Sequence, residues 1–171
     1  MFGRRIRTRP LTADERHVAS SVFGQASWLD DVRVTDIRGL RGRAFTIPGA
    51  RQRIYCNMGT RFDATLAPSG AYPVPGQLLI HELAHAWQIH HARSSVGFLA
   101  RGAWVQVRHE IGSRRRAGRG YNAYALPFTS GVDDGIADTG DWASRPDWES
   151  LTIEQQATVV DRWFARRGPN L

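Results

Sequence analysis

Two histidines and a glutamate stand at a spacing that can build a metal centre. His81, Glu82 and His85 form the pattern H-E-x-x-H inside an otherwise apolar run at residues 77–88. On an α-helix, residues four positions apart project from one face, so both imidazoles can reach the same tetrahedral Zn2+ ion. Glu82 follows the first histidine, where it can take the proton of a zinc-activated water molecule. The pattern therefore predicts a zinc site with a hydrolytic base.

The residues around this motif are typical of a buried helix. Apolar side chains would cover nearly all of its sides, namely Leu78, Leu79, Ile80, Leu83, Ala84, Ala86, Trp87 and Ile89. Imidazole and carboxylate groups are costly to bury without partners, and a metal ion removes that cost. We therefore expect a buried helix from about residue 77 to residue 92, with the metal site inside the domain.

The third metal ligand has to come from outside the H-E-x-x-H motif, because a catalytic zinc site has three protein ligands. His91 completes the spacing of a three-histidine motif, but Gln88 occupies the position of the glycine at which the chain turns back. If the helix continues instead, His91 lies about 100° away from the midpoint of the histidine face. The alternative is a downstream carboxylate, and the candidates are Glu110, Glu149 and Glu154.

Glu154 is the best placed of these carboxylates. Thr152 is expected to cap a helix at about residues 153–166, whose apolar stripe is Ile153, Ala157, Val160 and Phe164. Glu154 lies in the first turn and flanks that stripe, so it can face a neighbouring buried helix. Asp161 is seven residues further along the same face, where it could accept a hydrogen bond from the other ring nitrogen of a ligand histidine.

The remaining elements belong to both classes of secondary structure. Thr12 and Glu15 form a capping box that begins a helix of about 11 residues, and Gly24 ends it. Runs rich in β-branched and aromatic residues predict strands at residues 28–37, 43–47 and 53–57. We therefore expect an α+β fold, with residues 1–10 as a basic N-terminal arm and residues 11–171 as one domain.

The chain is strongly basic, with a formal net charge of +7. It contains 23 arginines and no lysine. Such a charge can attract nucleic acid, an anionic membrane or an acidic cell-wall polymer. Because the arginines are dispersed rather than aligned along one helix, we favour a solvated basic surface and do not expect nucleic acid as a partner.

The sequence also limits the covalent and membrane chemistry that we expect. Cys56 is the single cysteine, so no disulfide can form within the chain. The longest uncharged stretch, residues 64–80, is interrupted by prolines and predicts no membrane span. The basic N-terminus is not followed by an apolar segment, which argues against an ordinary secretory signal.

Several motifs together resemble a family of small bacterial zincin-like proteins linked to type VI secretion spikes and Rhs-type polymorphic toxin systems. The matching pieces are Leu11-Thr12-x-x-Glu15, Val22-Phe23-Gly24, the run from His81 to Gln88, Tyr121-x-x-Tyr124, and Glu154-Gln155-Gln156-Ala157. The resemblance implies a single zincin-like domain, in which a small mixed sheet accompanies the buried motif helix and a C-terminal helix packs against it. It also implies zinc bound by His81, His85 and Glu154, with Glu82 as catalytic base.

The resemblance further suggests a secretion-linked role. It implies a protein that is cytoplasmic in the producing bacterium and exported without a signal peptide as a toxin or effector. The implied partners are a peptide or protein substrate, a secretion spike and an immunity protein.

The leading functional hypothesis is a zinc metallopeptidase. Its oxyanion needs a further donor, for which Tyr121, Tyr124 and His109 are the candidates. The strand at residues 53–57 is expected to offer an edge to an extended substrate. The alternative is a non-catalytic accessory or adaptor protein with a structural zinc ion, which would require a fourth protein ligand.

Overall fold

The computed structural model describes residues 5–37, 43–92, 142 and 148–168. Its strands and helices are β1 (Thr8–Arg9), α1 (Ala13–Phe23), β2 (Val32–Thr35), β3 (Phe45–Pro48), β4 (Ile54–Asn57), α2 (Gln77–Ala92) and α3 (Ile153–Arg167). Short 3-10 turns lie at Ser27–Asp31, Gly59–Arg61 and Trp148–Ser150. The predicted α+β class is confirmed.

The four strands form one mixed sheet in the order β1-β2-β4-β3. The two central strands, β2 and β4, are parallel, whereas β1 and β3 pair with them antiparallel. The expectation that residues 53–57 form an open edge was wrong, because β4 has a hydrogen-bonded neighbour on each side. Among the strands that the structure describes, β3 is the edge strand on this side of the sheet.

The first helix begins and ends where the sequence predicts. The Thr12 hydroxyl accepts from the backbone N–H of Glu15 at 3.2 Å, and the Glu15 carboxylate accepts from the N–H of Thr12 at 2.7 Å. Gly24, with φ of 68°, ends the helix. The buried Glu15 also forms an ion pair of 2.6 Å with Arg9, which joins β1 to α1. Helix α1 is thereby fixed against the sheet.

Helix α2 is the central element of the core. Leu79, Ile80, Leu83 and Ala86 are fully buried, as the apolar sequence of this helix predicts. One part of its surface contacts β3 and β4, and another packs extensively against α3. Helix α3 starts at a Thr152–Gln155 capping box and buries Ala157, Val160 and Phe164 of the expected stripe, whereas Ile153 is only partly buried. The C-terminal helix is thus packed against the motif helix.

No helix in the described ranges combines the length and the apolar character that a membrane crossing needs.

Candidate metal centre

Three potential ligands from two helices meet at one point. Nε2 of His81 and Nε2 of His85 lie 3.6 Å and 3.5 Å from Oε2 of Glu154. All three ligand atoms are within 4.8 Å of one another. A tetrahedral zinc ion with bonds of ordinary length separates its ligand atoms by about 3.3 Å. Both the donor types and their spacing therefore fit a divalent metal ion.

The local sequence explains why these side chains converge. The four-residue interval on α2 places the rings of His81 and His85 one helical turn apart, with centroids 5.0 Å from each other. Thr152 fixes the start of α3, so that Glu154 falls in its first turn. The packing of α3 on α2 then carries the Glu154 carboxylate to the histidine pair. The site therefore exists only when both helices are docked.

The cluster is covered on the histidine side and reached by solvent on the carboxylate side. His81 and His85 are 3% and 7% exposed. The Glu154 side chain is 26% exposed. Glu154 is therefore the member of the cluster that is most accessible to solvent.

Each histidine uses its Nδ1 atom for a hydrogen bond within the protein. Nδ1 of His81 lies 2.7 Å from Oδ2 of Asp161, the contact that the sequence predicts. Nδ1 of His85 lies 2.9 Å from Oε1 of Gln88. Because both partners accept hydrogen bonds, each Nδ1 carries a proton and each Nε2 is directed toward Glu154. This is the ring orientation that metal binding through Nε2 requires.

The charges of the cluster shift its proton affinities. Burial lowers the pKa of His81, but hydrogen bonds with Asp161 and Glu154 outweigh this effect and raise it to about 10. Burial raises the pKa of Glu154, whereas contacts with His81 and His85 hold it well below its usual range. The Glu154 carboxylate is therefore ionised across the physiological range and ready to bind a cation.

Glu82 lies in a different environment from Glu154, although both belong to the candidate site. It is buried, and burial raises the pKa of its carboxyl group despite the nearby histidines. The Thr46 hydroxyl on β3 lies 2.8 Å from Oε2 of Glu82 and 3.1 Å from its backbone oxygen. The edge strand therefore holds this carboxyl group in place. A raised carboxyl pKa is typical of a general base that operates near neutral pH.

The three-histidine arrangement does not form. Helix α2 continues through Gln88, as expected, and ends at Ala92. His91 is exposed at this end, where its Nδ1 lies 2.8 Å from the carbonyl oxygen of Trp87. It is therefore separate from the cluster.

The other candidate residues have different outcomes. Glu149 is exposed in the turn before α3 and is not part of the cluster. The remaining candidates lie outside the described residues, namely Glu110 as a ligand and His109, Tyr121 and Tyr124 as oxyanion donors. Within the described ranges, no fourth histidine, cysteine, aspartate or glutamate completes the set of ligand atoms.

The sequence did not indicate three neighbours of the site as contributors to it. Thr46 and Gln88 provide the hydrogen bonds described above. Tyr72, from the loop between β4 and α2, places its ring 5.5 Å from that of His81, measured between centroids. No local pattern marks these residues, because their roles depend on how strand, loop and helix pack.

Comparisons of the chain with protein-family models, with curated proteins and with solved structures found no match.

Proposed function

We propose that this protein is a zinc-dependent metallopeptidase, with His81, His85 and Glu154 as metal ligands and Glu82 as general base. The observation that carries the proposal is the meeting of three ligand atoms from α2 and α3 at a spacing suited to tetrahedral coordination. A buried carboxyl group with a raised pKa follows the first ligand in sequence. Partial exposure of Glu154 supports an open position rather than a closed site.

Each residue of the proposed site has a separate role in amide hydrolysis. When bound, zinc would polarise the scissile carbonyl and lower the pKa of a coordinated water molecule. Glu82 would accept the proton of the attacking water and deliver it to the leaving nitrogen. Its contact with Thr46 would keep the carboxyl group in one orientation during both transfers. Asp161 would hold His81 through Nδ1.

The proposed substrate is a peptide or an unfolded protein segment. Strand β3 is an edge among the described strands, and its Thr46 contacts Glu82 directly. An extended substrate that paired with β3 would therefore run beside the proposed base. This assignment replaces β4, which lies inside the sheet.

A structural zinc site in an accessory or adaptor protein is the second candidate. The near-complete burial of both histidines favours it, because a metal there would join α2 to α3 whether or not chemistry followed. A structural site would be closed by four protein ligands. X-ray absorption of the zinc-loaded protein distinguishes the two, since the peptidase requires three protein ligands and one from solvent.

The secretion-linked part of the proposal depends on the sequence resemblance. We propose that the protein is cytoplasmic in the producing bacterium and leaves it as an effector by a route that needs no signal peptide. A secretion spike and an immunity protein are the proposed partners.

The experiment that tests the peptidase activity compares the wild-type protein with Glu82→Gln. Both proteins are incubated with a mixed peptide library, and cleavage is followed by mass spectrometry. Glu82→Gln is expected to retain zinc and to lose hydrolysis by about two to four orders of magnitude, because it lacks the base. Equal hydrolysis by both proteins would contradict the role of Glu82.

A further inference from the structure

The side chain of Gln88 makes an unusually complete set of hydrogen bonds beside the candidate metal centre. It is 5% exposed. Its Oε1 accepts from Nδ1 of His85 at 2.9 Å, and its Nε2 donates to the carbonyl oxygen of Ile153 at 3.0 Å and to Oε1 of Gln156 at 2.8 Å. A glutamine amide has two N–H donors, so both are used.

The surroundings fix the orientation of this amide. The Ile153 carbonyl can only accept a hydrogen bond, so the nitrogen of Gln88 must face it. Exchanging the two ends of the amide would bring two oxygens together at Ile153. The oxygen of Gln88 must therefore face His85 and accept a hydrogen bond from its Nδ1. The other ring nitrogen, Nε2, is the atom directed at Glu154.

The two donor contacts lie on either side of the third proposed ligand. Ile153 immediately precedes Glu154, and its carbonyl belongs to the peptide bond that leads into that residue. Gln156 follows two positions later, and its own Nε2 donates to the carbonyl oxygen of Trp148 at 2.8 Å. One side chain on α2 therefore connects the ring of His85 to the backbone that carries Glu154.

We propose that Gln88 is a positioning residue that couples the docking of α3 to the orientation of the His85 ring. The inference rests on the proposed function for the identity of the ligands. Gln88 does not touch the metal or the substrate. Its amide group contacts both the ring of His85 and the backbone next to Glu154. The orientation of His85 and the position of Glu154 therefore depend on the same side chain. Metal affinity should therefore depend on contacts between Gln88 and α3 that do not involve the ligand atoms themselves.

The test measures the zinc dissociation constant by competition with a chromophoric chelator, without substrate. Gln88→Leu removes all three hydrogen bonds, whereas Gln156→Leu removes the bond between the two glutamine side chains together with the bond from Gln156 to the Trp148 carbonyl. Both are expected to raise the zinc dissociation constant, Gln88→Leu by about 10- to 100-fold. Gln25→Leu, in an exposed position outside the site, is the control and should bind zinc as the wild type does.

The possible outcomes separate the alternatives. An unchanged constant in Gln88→Leu overturns the proposal, because a merely structural glutamine would lower the stability of the metal-free and zinc-bound forms alike. If the zinc dissociation constant rises in Gln88→Leu but is unchanged in Gln156→Leu, the proposed coupling to α3 is overturned. If Gln88→Leu does not fold, Gln156→Leu decides alone. Failure of the peptidase proposal is visible separately, as a wild-type protein that binds zinc but hydrolyses nothing.

Discussion

Oδ2 of Asp161 lies 2.7 Å from Nδ1 of His81. Helix α3 therefore contacts the first histidine of the motif at the ring nitrogen that does not face Glu154. Oδ1 of the same carboxylate accepts from Nε2 of Gln77 at 2.9 Å. Asp161 therefore connects α3 to the start of α2, while Gln88 connects α3 to the C-terminal part of α2. The two histidines differ in their partners, since one faces a carboxylate and the other a neutral amide.

Replacing Asp161 by asparagine should weaken zinc binding. The asparagine keeps the shape of the side chain but loses the negative charge that makes His81 a stronger donor to a cation. We expect the zinc dissociation constant to rise by about tenfold, measured by chelator competition. Asp30→Asn, which removes an exposed ion pair with Arg16, is the matched control. Equal zinc affinities in the two variants would contradict the role of Asp161.

The stability of the metal-free protein should depend on pH through His81. Burial lowers the pKa of His81, but hydrogen bonds with Asp161 and Glu154 raise it overall from 6.5 to about 10. Between these values the folded protein binds a proton that the unfolded chain releases, so this contribution to stability is complete below pH 6.5 and is lost toward pH 10.

Urea unfolding of chelator-treated protein measures this effect. The free energy of unfolding of the wild type should fall between pH 6.5 and 10. The decline should be smaller in His81→Asn, whereas His17→Asn, at an exposed position on α1, should behave like the wild type. If the free energy of unfolding declined equally in His81→Asn and in the wild type, the pH dependence would come from groups other than His81.

The hydroxyl group of Thr46 should matter for turnover more than for metal binding. Thr46→Val keeps the size of the side chain and removes the hydrogen bond to Glu82, whereas Thr46→Ser keeps the hydroxyl. We expect kcat to fall by about tenfold in the valine variant, roughly 1.4 kcal/mol of transition-state stabilisation, and to change little in the serine variant. The zinc content of both variants should equal that of the wild type. A valine variant with wild-type kcat would show that Glu82 is oriented by other contacts.

The two helices of the site follow from sequence because their signals are local. The apolar flanks of His81 and His85 predict a buried helix, and the Thr152 capping box fixes where α3 starts. Once that start is known, helical periodicity places Glu154 and Asp161 near one face. This is why their contacts with the histidines could be anticipated.

The contributions of Gln88 and Thr46 could not be anticipated in the same way. The sequence indicates only that Gln88 continues the helix where a glycine would end it. Its contacts with Ile153 and Gln156 depend on the register between α2 and α3, which no local pattern encodes. Thr46 reaches Glu82 because β3 is the edge strand beside α2, and the order of strands arises from the parallel pairing of β2 with β4. Because β4 pairs with both β2 and β3, residues 53–57 lie inside the sheet, and the prediction that they form an edge was wrong.

The most direct test of the central claim is the zinc content of protein purified without added metal, measured by elemental mass spectrometry together with Glu154→Ala and Glu149→Ala. Glu149 lies in the exposed turn before α3 and is the matched control. We expect about one zinc per chain in the wild type and in Glu149→Ala, and a large loss in Glu154→Ala. Less than about a tenth of an equivalent in the wild type, or equal zinc in both variants, would contradict a metal centre built from His81, His85 and Glu154.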